Sequence, residues 1–76
     1  MNEIILNIKN LNEKEWKTIW IQPAYLIKDF MQEWSHYSQC RLLKNEMYLI
    51  EEHRFLNPKN TVQENQLCDG DHCIVL

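Results

Sequence analysis

The last ten residues, Leu67-Cys68-Asp69-Gly70-Asp71-His72-Cys73-Ile74-Val75-Leu76, constrain the fold more than any other stretch. Asp69-Gly70-Asp71 is turn chemistry. Gly70 is the only glycine in the chain, and it sits where the backbone can take φ > 0 without a Cβ penalty. From Cys73 the sequence is apolar to Leu76. A short run apolar on both sides reads as a central strand, one face on a core and the other against something else. The chain is therefore expected to end inside the fold.

Its 76 residues predict one domain, 1–76, whose core buries only about 60% of the unfolded surface, so that each core position matters. A hydrophobic content of 45% with 25% charged residues excludes a disordered chain. The net charge of −3, with no basic patch, gives no electrostatic reason to expect nucleic acid or anionic lipid as a partner. Met1-Asn2-Glu3 has no positive region and Ile4-Ile5-Leu6 is too short to be a signal or a span. The expectation is a cytosolic protein without direct membrane insertion. Cys40, Cys68 and Cys73 are odd in number, which in that compartment predicts reduced thiols rather than a disulfide framework.

Taken in order, Glu3 to Lys9 alternates, with Ile4, Leu6 and Ile8 on one face, and predicts a half-buried strand. Asn10 to Glu13 supplies turn residues, and Trp16 to Ile21 is rich in β-branched and aromatic side chains, which completes a hairpin. Pro23 fits a first helical turn. Ile27, Phe30, Met31 and Trp34 then fall at i, i+3, i+4 and i+7, predicting a helix from Ala24 to Tyr37 with one stripe on the sheet. Met47 to Ile50 reads as a short strand, Glu51 to Arg54 as a turn, and Phe55-Leu56 as a further strand. Thr61 with Glu64 three residues on is a capping box, which predicts one helical turn before Leu67.

No pattern in the chain carries catalysis. Cys68, His72 and Cys73 lie beside Asp69 and Asp71, but zinc needs a second ligand pair that the sequence lacks, and Cys73 belongs to the core. Asp69 and Asp71 would raise a neighbouring thiol rather than activate it. His36, His53 and His72 have no partner identifiable by spacing, and Glu51-Glu52 reads as a solvated turn because adjacent residues point apart. The expectation is a non-enzyme with no metal and no cofactor.

The predicted order, two strands, a helix, two strands, a short turn and a last strand, resembles the ubiquitin-like β-grasp. Ile21-Gln22-Pro23 through Ile27, Phe30 and Trp34 is similar to the strand end, proline and helix core of ubiquitin. Leu49, Leu56, Val62, Leu67, Cys73 and Val75 match the family's core spacing, and Gly70 its tight turn. The resemblance implies an α+β fold: a mixed sheet of order 2-1-5-3, plus a short strand 4, packed on one α-helix. Ubiquitin continues into a flexible tail ending Gly-Gly, whereas this sequence stops at Leu76, so conjugation and sulfur transfer are not expected. A tailless domain of this size is similar to the YukD/EsaB group, small ubiquitin-like proteins attached to type VII secretion systems of Gram-positive bacteria. That resemblance implies a non-conjugated accessory docking on a component of the secretion machinery. The rival readings are a small ubiquitin-like subunit of a bacterial multicomponent monooxygenase, and a modifier whose tail is missing.

If Leu6, Ile8, Ile19, Ile21, Leu49, Cys73 and Val75 face the helix, alternation sends Ile5, Trp16, Trp20, Tyr48, Ile50, Ile74 and Leu76 outward. An apolar patch of that size marks a protein interface. By resemblance, Ile50, Ile74 and Leu76 occupy positions of the hydrophobic patch through which ubiquitin is recognised. The expected interface is therefore Ile5, Trp20, Tyr48, Ile50, Ile74 and Leu76, covered by a protein partner or by self-association through the outer sheet face.

Overall fold

Alternation along β1 (Ile4–Asn10) sends Leu6, Ile8 and Asn10 to the buried side, and this strand lies inside a mixed sheet. The computed structural model describes residues 2–76. After β1 come β2 (Lys17–Ile21), α1 (Ile27–Ser38), β3 (Met47–Leu49), β4 (Arg54–Phe55) and β5 (Asp71–Val75). The sheet order is β2-β1-β5-β3-β4, with β1 and β5 parallel and the remaining neighbours antiparallel. One helix crossing one face of such a sheet is the expected β-grasp architecture.

The core forms where the helix stripe meets the sheet. Ile27, Phe30, Met31 and Trp34 bury themselves against Leu6, Ile8, Ile21, Met47, Leu49, Cys73 and Val75, and Leu56, Val62 and Leu67 close one side. Trp34 also satisfies its polar edge, its Nε1–H donating to Asn10 Oδ1 at 2.8 Å. Asn10 is thus a buried polar residue in a strand, not the turn residue its type suggests.

The helix begins at Ile27, three residues after the expected Ala24. Pro23 and Ala24 make a turn closed by Tyr25 N–H donating to Gln22 O, and the facing loop holds the segment: Gln63 N–H donates to Pro23 O and Val62 N–H to Tyr25 O, while extended Leu26 bridges Thr61. Pro23 therefore lies ahead of the helix rather than in its first turn. The same loop completes the helix start, because the N–H groups of Ile27 and Lys28 donate to the carbonyls of Asn60 and Pro58. At the other end Gln39 takes the left-handed conformation (φ 53°) and stops the helix after Ser38.

The capping box forms as expected. Thr61 N–H donates to Glu64 Oε1 at 2.9 Å and Glu64 N–H to Thr61 Oγ1 at 3.0 Å. It encloses a single turn, after which Gln66 at φ 59° breaks the run. Gly70 sits at φ 89° in the turn into β5, as the sequence requires.

Candidate interaction surface

The face of the sheet away from α1 carries one row of side chains across four strands. Lys9 on β1 pairs with Ile74 on β5, Ile74 with Tyr48 on β3, and Tyr48 with Phe55 on β4. The Tyr48 and Phe55 rings meet edge to face, 5.0 Å between centroids. Phe55 is 53% exposed.

Trp16, in the loop ahead of β2, is drawn to the same face. Lys9 Nζ lies 4.9 Å from its ring centroid, and the Trp16 and His72 rings meet edge to face, 4.9 Å between centroids. Lys9 also donates to Glu13 O at 3.1 Å, so one ammonium group fixes both the loop and the indole. His72 is fixed from the other side by Glu51. The His72 N–H donates to Glu51 Oε1 at 2.8 Å, and Nδ1 lies 2.5 Å from Oε2. A carboxylate only accepts, so Nδ1 carries the proton. Partial burial works to raise the Glu51 carboxyl, but the hydrogen bonds from His72 outweigh it and hold the group below its ordinary value.

The expected interface residues separate into three places. Tyr48 and Ile74 are half-buried neighbours in the row. Ile50 lies in the turn after β3, its N–H bonded to His72 O, at the border of the row. Ile5 and Trp20 face each other across β1 and β2, with Trp20 61% exposed. A polar row divides that pair from Tyr48 and Ile74: Thr18 donates to Asn7 Oδ1 at 3.0 Å, and Asn7 pairs with His72 on β5. Leu76 lies at the end of the sheet, its main chain bonded to Glu46 and its side chain in a recess with Leu11, Leu42 and Leu43. Trp16, expected outward, joins the row. The sequence places Phe55 only in a strand, although its position beside core residue Leu56 gives the alternation that turns it outward. The Glu51–His72 pair spans too much sequence for spacing to reveal.

The remaining chemically capable groups are used in structure. Asp69 accepts from Ile5 N–H at 2.7 Å and Asp71 from Cys68 N–H at 2.8 Å, so both carboxylates brace the turn around Gly70. Cys73 is fully buried, which together with the charges of Asp71 and Glu51 pushes its thiol up to about 12. Cys40 and Cys68 are exposed, their thiols 3.9 Å from the carbonyls of Arg41 and Gln66. Among the described residues no three His, Cys, Asp or Glu side chains converge as metal ligands, and no helix is long and apolar enough to cross a membrane. On the helix side, the neighbouring Glu33 carboxylate, together with burial and the charge of Asp29, raises the Tyr25 hydroxyl to about 12.

No protein-family profile and no curated protein matches the sequence. The backbone, in contrast, overlays closely on solved structures. A protein described as a molecular mimic of SUMO that promotes DNA repair aligns with 100% of this chain and 92% of its own, with a TM-score of 0.76 and 20% identity. A ubiquitin of Caldiarchaeum subterraneum aligns with 96% of this chain and 90% of its own, at 0.71 and 14%. The ubiquitin-like domain of Plasmodium falciparum Dsk2 aligns with 97% of this chain and 99% of its own, at 0.67 and 16%. At such identities the likeness speaks for architecture alone, and the architecture of this chain is the ubiquitin-like β-grasp.

Proposed function

We propose that the chain is a non-catalytic protein-interaction module that docks a protein partner through the outer face of its sheet. The observation that carries this reading is the row Lys9, Ile74, Tyr48 and Phe55 with Trp16 stacked beside it. Aromatic anchors set on a rigid sheet and rimmed by charged groups are the side chains that supply most interface energy once water is excluded. Ile50 borders this face. Ile5 with Trp20 forms a second, smaller anchor beyond the polar row, and Leu76 a third at the sheet end.

In its most specific form the module is a cytosolic, non-conjugated accessory of a type VII secretion system. The resemblance in the helix stripe and in the Gly70-Asp71 turn into the last strand supports that form. An immunoblot of denatured host extract tests non-conjugation: a single species near the mass of the free chain is expected, and a ladder of heavier species contradicts it.

The docking face is tested with tagged full-length protein and a Tyr48→Ser/Ile74→Asp variant, each followed by a circular dichroism melt. Wild type should retain a specific protein that the folded variant loses. A variant that stays folded and retains every partner contradicts the reading, and one that unfolds places these side chains in the core.

A further inference from the structure

The free edge of the sheet at β2 points to a second contact, distinct from the outer face. Among the described residues β2 has a neighbour on one side only, β1. The direction of its unpaired groups follows from Ile5. Gly70 N–H donates to Ile5 O, and Ile5 N–H donates to Asp69, so both main-chain groups of Ile5 point toward the β5 side. Trp20 is the residue opposite Ile5 across the antiparallel pair. It is therefore in a non-hydrogen-bonded position, and its N–H and C=O leave the edge of the sheet. Thr18, opposite Asn7, does the same one period earlier.

Exposed edges are ordinarily blunted by shortness, proline, bulges or charge. The opposite edge, β4, is two residues long. By comparison β2 is Lys-Thr-Ile-Trp-Ile, rich in β-formers, with no proline and one charge at its first position. Such an edge is a template for another strand.

We infer that the strand it takes is β2 of a second copy, paired antiparallel about a two-fold axis at Ile19. In that register Thr18 of each copy lies opposite Trp20 of the other, so the outward N–H and C=O groups of both residues are satisfied in both chains. Ile19 meets its own image on the helix side. Lys17 comes opposite Ile21 of the second copy.

Charge selects this occupant. Lys17 lies against Trp34 and Tyr37, in the second half of α1, so the Ile21 end of the strand lies toward the first half of the helix. There Asp29 lines the surface with Tyr25, while Glu33 borders the groove of Lys17, Thr18 and Ile19 in its own copy. Within one copy, among the described residues, the ion pair of Lys17 is with Glu13, at 4.0 Å. The two-fold carries each Lys17 across to the acidic end of the other copy, a complement formed twice by symmetry.

Sedimentation equilibrium of the full chain over a concentration series tests the inference. Wild type is expected to dimerise. Thr18→Pro removes an N–H that points off the sheet and none from the β1 ladder, so it should raise the dimer dissociation constant at least about tenfold while the melt stays cooperative. Lys17→Glu should weaken the dimer similarly, and Lys17→Glu with Asp29→Lys should recover most of the loss. If Thr18→Pro fails to fold, the charge swap decides. A wild-type monomer at every concentration overturns the inference, as does a dimer indifferent to the folded variants. So does a dimer broken by Tyr48→Ser, since the copies would then meet through the outer face.

Discussion

Trp34 meets two demands at one position, filling the core and pairing a buried amide. It is 4% exposed, stacks on Phe30 at 5.9 Å and donates to Asn10. Trp34→Ala should destabilise by about 3–5 kcal/mol in denaturant unfolding, as large aromatic deletions do. Trp34→Phe keeps much of the volume but leaves the Asn10 oxygen unpaired, and should still lose about 1–3 kcal/mol. The helical period made Trp34 legible in the sequence. Asn10 was legible too, since it continues the Ile4, Leu6, Ile8 alternation onto the core face, but its residue type suggested a turn. Glu51 was hidden, because its partner His72 is brought near only by the pairing of β3 with β5. The depressed Glu51 carboxyl stabilises the fold fully above its ordinary value of 4.5, and that contribution is lost as pH falls through the lower folded value. Glu51→Ala should therefore melt below wild type at about pH 7, and the gap should close in acid. A gap that widens on acidification contradicts the assignment.

At the scale of elements, the helix stripe and the capping box were legible because both are local patterns. The helix start was not. Its first N–H groups are satisfied by Asn60 and Pro58, some thirty residues away in sequence, and nothing local signals that. The loop that supplies them is organised by Asn65, which is buried. Its Oδ1 accepts from Asn57 N–H, and its Nδ2 donates to the carbonyls of Asn57 and Thr61. Asn65→Ala strands those groups and should cost about 2–4 kcal/mol. Thr61→Ala removes one exposed cap bond and should cost only about 1 kcal/mol. Unfolding curves for the two variants check the order, and a larger loss at Thr61 contradicts this account of the loop.

For the whole molecule, period-two alternation predicted which side chains leave the core, yet could not say which of them touch. Contact across strands depends on register, and register puts Thr18, Asn7 and His72 between Trp20 and Tyr48. It also brings Phe55 beside Tyr48. The expected six-residue face thus becomes a row centred on Ile74 and Tyr48, with Lys9, Trp16 and Phe55 added. On the proposed reading this row, and not the helix side, meets the partner protein. Amide and methyl NMR spectra of the full chain, free and saturated with the protein it retains in the pull-down, test that claim most directly. Shifts should concentrate at Lys9, Trp16, Tyr48, Phe55 and Ile74. Shifts confined to Asp29, Gln32 and His36 on α1, with the row unchanged, would contradict it.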